Sequence, residues 1–191
     1  MKYVILILVS FTSITSAFCA DVTNNSPGWY VQPSVVYMAE RGDFKSDWSG
    51  ALSAGYVFNK HHSVELELMS FKTDTLILRA SGYSYEKDLK VVPLLMTYQY
   101  TFVLGKGFGL FGGISSQTIM EETNYTYYGQ SGPPAGAIIS ETSYKLTVGG
   151  QIGLTYDFSS RATAVAAVKL LRVATSEEEY RIFELGLRYR F

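Results

Sequence analysis

From Trp29 to the last residue, apolar and polar positions alternate with a period of two, interrupted by short clusters of Gly, Ser, Asn and Asp. In an extended chain successive side chains point to opposite faces, so this alternation predicts strands with one greasy and one polar side. No convincing period of 3.6 competes with it, and past Asp21 no apolar run approaches the ~20 residues of a membrane-crossing helix. Eight strands follow: Trp29 to Ala39, Trp48 to Phe58, Ser63 to Lys72, Lys87 to Phe102, Phe108 to Gln117, Glu141 to Phe158, Ala162 to Arg172 and Glu178 to Phe191.

The connections predicted between them alternate in length. Asn59 to His62, Val103 to Gly107 and Ser159 to Arg161 are short. Glu40 to Asp47, Thr73 to Glu86, Thr118 to Ser140 and Val173 to Glu177 are longer. One end of the sheet is therefore tight and the other elaborated. Consecutive hairpins close most simply into an up-and-down barrel, which leaves no unpaired edge.

The sixth strand separates the faces most clearly: Tyr144, Leu146, Val148, Ile152, Leu154, Tyr156 and Phe158 against Ser143, Lys145, Thr147, Gln151, Thr155 and Asp157. The last sets Phe183, Leu185, Leu187, Tyr189 and Phe191 against Ile182, Glu184, Gly186, Arg188 and Arg190. In the third, Val64, Leu66 and Leu68 alternate with Glu65 and Glu67. A soluble barrel or sandwich would turn the apolar face inward and leave the charges in water. A barrel in a bilayer reverses this, and the aromatic positions favour the reversal. Trp29, Phe58, Phe102, Phe108, Tyr156, Phe158, Tyr189 and Phe191 lie at strand ends beside the short turns, and Tyr37, Trp48, Tyr144 and Phe183 toward the other ends. Two such bands are the interfacial girdles of a membrane barrel, whereas a soluble core concentrates its largest rings mid-strand.

With the polar face inside, Glu65, Glu67, Lys145, Lys169, Glu184 and Arg188 are expected to form an internal ion-pair network, with Gln99 and Gln151 as hydrogen-bonding partners. An eight-stranded barrel is just wide enough for side chains to fill. The lumen is thus expected to be narrow and largely plugged, with water in the space left by small inward residues such as Ser53, Gly55, Gly113, Thr147, Gly149 and Gly153.

Composition adds a precursor to this picture. Lys2, an apolar run from Tyr3 to Phe11 and mostly small residues from Thr12 to Ala20 have the layout of an export signal. Residues 1–20 are read as signal peptide, removed just before Ala20 or Asp21, and 21–191 as the barrel domain. Cys19 is the only cysteine, and Phe18 before it departs from the small residue that a lipidation site wants. Without it the exported chain has no disulfide, so packing must hold the fold. Tyr 15 and Phe 11 accompany only 17% charged residues, too aromatic for an ordinary soluble domain. A formal charge of −1 suggests neither nucleic acid nor an acidic substrate as partner.

The carboxy-terminal stretch Glu184-Leu185-Gly186-Leu187-Arg188-Tyr189-Arg190-Phe191 ends in phenylalanine and carries apolar or aromatic residues at alternate places. It resembles the signal by which the barrel assembly machinery of bacterial outer membranes recognises its clients, with Leu185, Leu187, Tyr189 and Phe191 as the residues that would be read. With the export signal and eight strands, the whole mature chain resembles the small outer-membrane barrel superfamily that includes the OmpA and OmpX transmembrane domains and opacity-type surface proteins. The resemblance implies an all-β, eight-stranded antiparallel up-and-down transmembrane barrel in the bacterial outer membrane. Termini and short turns would face the periplasm and long loops the exterior, in contact with outer-membrane lipid and lipopolysaccharide. With nothing after Phe191, the expectation is one barrel domain without the peptidoglycan-binding domain of OmpA.

Candidate chemistry is sparse. His61 and His62 sit in an expected turn with only Glu65 nearby and read as solvated. A barrel enzyme acting on outer-leaflet lipid would want its histidine near the outer rim, and the carboxylates Glu121 and Glu122 do not supply that chemistry alone. No catalytic residue, metal site or cofactor is expected. The segment Thr118 to Ser140 combines Asn124, Tyr125, Tyr127 and Tyr128 with Gly129 to Gly136. Tyrosine among Gly, Ser and Asn is what binding loops use, because it offers large contact area at small entropic cost. These tyrosines would touch an unidentified extracellular ligand, or rest on lipopolysaccharide and neighbouring loops. A structural or adhesive role is the leading reading, with a narrow pore for water, ions or small solutes second and a lipid-acting enzyme third.

Overall fold

The computed structural model describes residues 27–39, 46–72, 76–80, 83–129, 137–173 and 179–191; the expected signal peptide lies outside them. Ten strands form one sheet: β1 (Gly28–Met38), β2 (Asp47–Val57), β3 (His62–Met69), β4 (Phe71–Lys72), β5 (Leu76–Ala80), β6 (Tyr83–Gly105), β7 (Phe108–Gly129), β8 (Ile138–Asp157), β9 (Ala162–Val173) and β10 (Glu179–Arg190). Sequence neighbours pair antiparallel. β1 with β10 and β3 with β6 complete the circuit, so the sheet closes on itself. β3, β4 and β5 all pair with β6 and together make one stave, which leaves eight staves in the wall. The expected third strand is broken at Ser70: its ladder with β6 stops after Leu68 opposite Leu94 and resumes at Phe71 opposite Val91. The gap holds Pro93, opposite Met69, whose ring nitrogen has no hydrogen to donate.

Side chains sort as the alternation predicts, with the greasy face outward. Leu52, Leu66 and Leu185 are 61, 53 and 65% exposed, while Glu65, Glu67 and Glu184 are 3, 1 and 3% exposed. No helix among the described residues is long and apolar enough to cross a membrane. The rings gather in two bands. Near the short turns Trp29 packs edge-on to Tyr56 at 5.1 Å, Phe108 meets Tyr156 at 4.6 Å and Tyr189 meets Phe191 at 5.4 Å. At the other end Tyr37 contacts Trp48 at 4.9 Å and Phe183 at 6.2 Å.

The tightest turn joins β6 to β7. Gly105 faces Phe108 across a two-residue loop, Lys106-Gly107, in which φ is 52° and 81°. Positive φ at both loop positions matches the right-handed twist of the flanking strands. The ladder passes from Val103 opposite Gly109 to Gly105 opposite Phe108, so Leu104 is an extra residue that bulges the strand just before the turn.

The interior differs from expectation in two respects. Toward the long-hairpin end it is apolar: Val36, Met38, Met69, Phe71, Val91, Leu95, Ile119, Leu171 and Ile182 pack as one buried cluster. The space expected to hold water beside inward glycines is instead taken by rings and neighbouring chains. A Cβ on Gly55 would lie 2.3 Å from the Tyr30 ring, and one on Gly153 would lie 2.5 Å from the Phe111 ring. Glycine thus lets a bulky inward side chain lie flat against the wall.

The segment expected as an irregular loop, Thr118 to Ser140, is mostly strand. β7 continues to Gly129 and β8 begins at Ile138, paired as far as Thr126 opposite Ile138. The cause is in the residues: Thr118, Ile119, Thr123, Tyr125, Thr126, Tyr127 and Tyr128 have the branched or aromatic side chains that suit a pleated surface. With β5 and the start of β6, these stretches project as a four-stranded ribbon beyond the ends of β9 and β10.

Candidate functional site: the barrel interior and the projecting ribbon

Alternation and barrel closure bring the inward residues of distant strands together. Nearest the short turns, Arg188 of β10 sends Nη2 to Glu65 Oε2 of β3 at 3.3 Å and to Gln99 Oε1 of β6 at 3.4 Å. Its Nε donates to Gln32 Oε1 at 3.0 Å, and its guanidinium carbon lies 4.1 Å from the Tyr30 ring centroid. The Tyr30 hydroxyl donates to Glu65 at 2.7 Å, so the carboxylate is held by a cation and a phenol at once.

One layer further, Lys169 of β9 bridges two carboxylates, Glu67 of β3 and Glu184 of β10, the latter at 2.8 Å. Glu184 also accepts from Gln32 Nε2 at 2.8 Å and Ser34 Oγ at 2.5 Å. Burying charge in this way is tolerable because each ion faces an opposite charge, although Glu67 Oε1 has no hydrogen-bond partner among the described residues, and removing Lys169 would leave two uncompensated carboxylates. Near the far rim, Lys145 Nζ lies 3.0 Å from Glu121 Oε2, while the Tyr180 hydroxyl donates to the other Glu121 oxygen at 3.0 Å.

The expected lumen residues thus fall into three groups: Arg188 with Glu65 and Gln99, Lys169 with Glu67 and Glu184, and Lys145 apart from both with Glu121. Gln151 is buried on β8 behind Gly113, against which its side chain packs. Gln32, which links the first two groups, and Tyr30, which braces Glu65 and Arg188 in the first, were not anticipated. Their signal was available, since Tyr30, Gln32 and Ser34 share one face of β1.

Tyr125, Tyr127 and Tyr128 lie on β7, in the ribbon and not in a loop. Exposed Tyr128 donates to Glu86 Oε2 across the β6–β7 pair at 3.1 Å. That bond to a carboxylate, which favours the protonated phenol, holds Tyr128 above its ordinary pKa. On the ribbon's far side β8 pairs with β9 only from Thr147 onward. From Ile138 to Tyr144 its outer edge has no strand partner among the described residues. Exposed side chains line that stretch, Ile138, Ile139 and Tyr144 among them.

Of the residues expected as an assembly signal, Leu185, Tyr189 and Phe191 are exposed on the outer wall and Leu187 is partly so. Both histidines are engaged at the short-turn end: His61 Nδ1 donates to the Thr101 carbonyl at 2.8 Å and its ring stacks on Tyr100, while His62 meets the Tyr98 hydroxyl. Glu122 lies 3.8 Å from Lys90 on the exposed ribbon.

Residues 5–191 match the family described as outer membrane protein beta-barrel domain. No curated protein sequence matches. Among solved structures, that of Neisserial surface protein A (NspA) is similar at 16% identity and a TM-score of 0.59, over 87% of this chain and 99% of that one. A major outer membrane protein from Thermus thermophilus is similar at 12% identity and a TM-score of 0.61, over 87% and 100%. Ail, the attachment invasion locus protein of Yersinia pestis, in complex with the heparin analogue sucrose octasulfate, is similar at 15% identity and a TM-score of 0.55, over 86% and 97%.

Proposed function

Because the chain belongs to the outer-membrane β-barrel family and so resides in a bacterial outer membrane, we propose that it is a surface-contact protein whose projecting ribbon meets a polypeptide partner outside the cell. The observation that carries this reading is the β8 edge from Ile138 to Tyr144, without a strand partner among the described residues, a row of main-chain donors and acceptors beside exposed Ile138, Ile139 and Tyr144. An extended segment from another protein can add to such an edge, with main-chain bonds giving affinity and side-chain contacts giving selectivity. Even strand number puts both termini and the short turns in the periplasm and the ribbon outside. The bound heparin analogue of Ail suggests a polyanion as the alternative partner. Here Glu86, Asp88, Glu121, Glu122 and Glu141 are interspersed with Arg79, Lys87, Lys90 and Lys145 on the ribbon, a mixed field without the excess of cations that would favour one.

Replacing Tyr125–Ile139 with an Asn-Gly turn, together with Tyr144→Lys to block the edge that remains, is expected to abolish adherence of expressing cells to protein-coated surfaces while leaving heat-modifiable gel mobility intact. Undiminished adherence of that variant overturns the reading. The barrel itself serves as a support and not a conduit, a view supported by the charge pairs and the apolar cluster across its interior. Stable, reproducible channels in planar bilayers would overturn it. Residues 1–20 serve as the export signal, and Leu185, Leu187, Tyr189 and Phe191 as the surface presented to the assembly machinery; no enzymatic step is assigned.

A further inference from the structure

The short-turn end of the barrel is not flush. A cavity of about 320 Å³ opens there, walled by the turns after β2, β6 and β8 and floored by the inward face of β10. Its lining includes Lys60, Lys106, Arg188 and Arg190, and Asp157 is the one carboxylate side chain among the lining residues. Asp157 already accepts from the Thr163 hydroxyl at 2.5 Å, and Arg188 is committed to Glu65. Lys60 and Lys106, by contrast, have no ion-pair partner among the described residues, although they occupy neighbouring turns of adjacent staves.

Two features keep that charge available. His61 spends its Nδ1 hydrogen on Thr101, so it lines the cavity as a fixed ring. Lys106 sits at positive φ between Gly105 and Gly107, in a turn tied to β8 by the Asp157 N–H donating to the Gly107 carbonyl at 2.8 Å, which fixes Lys106 at the cavity. A concave site with like-signed charge on low-dielectric walls focuses its field and concentrates counter-ions.

We propose that this mouth binds a multiply charged oxyanion, a phosphate- or carboxylate-bearing group presented from the periplasm. Lys60 and Lys106 supply the charge from two turns, Arg190 lines the opposite side with Asp157 as its counter-charge, and Ser160 lines the cavity with them. The site lies at the opposite end of the barrel from the ribbon and stands independently of the surface-contact reading.

The test is calorimetric titration of pyrophosphate, and separately citrate, into refolded full-length chain in neutral micelles at low salt. Binding of at least one is expected, weakening as salt is raised. Lys60→Gln with Lys106→Asn should lower the affinity at least tenfold while gel mobility stays heat-modifiable; asparagine is chosen because it tolerates positive φ. Should the double variant misfold, each single variant is expected to bind about threefold more weakly. Binding of pyrophosphate alone assigns a phosphate ligand, of citrate alone a carboxylate, and of both a general oxyanion site. Failure of both probes to bind wild type, or equal affinity in folded variants, overturns the proposal.

Discussion

The belt of the barrel and the ribbon above it are built from the same alternating sequence, yet different forces hold them. In the belt every stave has two neighbours, one face meets lipid, and the other is filled by ion pairs at one end and by Phe71, Leu95 and Ile119 at the other. In the ribbon β5 and β8 have one described neighbour each, and the pairs seen there are exposed ones such as Lys90 with Glu122. Exposed pairs of that kind contribute roughly 0–1 kcal/mol. A strand pattern therefore says that a chain will extend, while closure and interior packing say what it will withstand.

The comparison breaks most visibly inside the belt. Lys169→Met strands Glu67 and Glu184 without their cation and is expected to cost about 3–5 kcal/mol in urea unfolding from vesicles; adding Glu67→Gln should return part of it. On the outer face, Leu52→Arg places a charge near mid-belt and should cost about 2–4 kcal/mol in the same assay. A loss below about 1 kcal/mol would mean that Leu52 does not face hydrocarbon. Replacing Tyr125–Ile139 with a tight turn should leave the unfolding midpoint unchanged, and a clear drop would make the ribbon part of the cooperative unit. The smallest effect lies at Tyr128. Its phenol is held above the usual tyrosine range by Glu86, so the bond is intact below that range and lost as pH rises through the folded value. Glu86→Gln should move the ring's titration, followed by carbon NMR, back toward ordinary tyrosine.

The barrel was legible because Glu65 and Glu67 alternate with Leu66 and Leu68, and Glu184 and Arg188 with Leu185 and Leu187, a period that fixes which face each occupies. The two groups around Arg188 and Lys169 were legible as members but not as pairs, since pairing depends on register between strands far apart in sequence. The apolar upper interior was missed although Met69 and Phe71 lie on the same face as Glu65 and Glu67. Alternation assigns one polarity to a whole face, whereas polarity here changes along the strand. The β7 part of the ribbon was missed for a different reason: Gly and Asn near Tyr125 read as loop punctuation, while the threonines and tyrosines around them favour extension. The mouth cavity could not be foreseen, because Lys60, Lys106 and Arg190 meet only once the circuit closes.

That circuit is sealed where β1 runs against β10, from Tyr30 opposite Arg190 to Met38 opposite Ile182. This seam joins the most widely separated strands of the chain, so it carries the largest loop-closure entropy and sits among the slowest contacts to form. Until it zips, two raw edges remain, Arg188 lacks the partners it meets inside, and Glu184 keeps Lys169 of the adjacent β9 but not Gln32 and Ser34 of β1. Insertion must therefore be nearly all-or-none, with the unsealed chain the species most prone to aggregate.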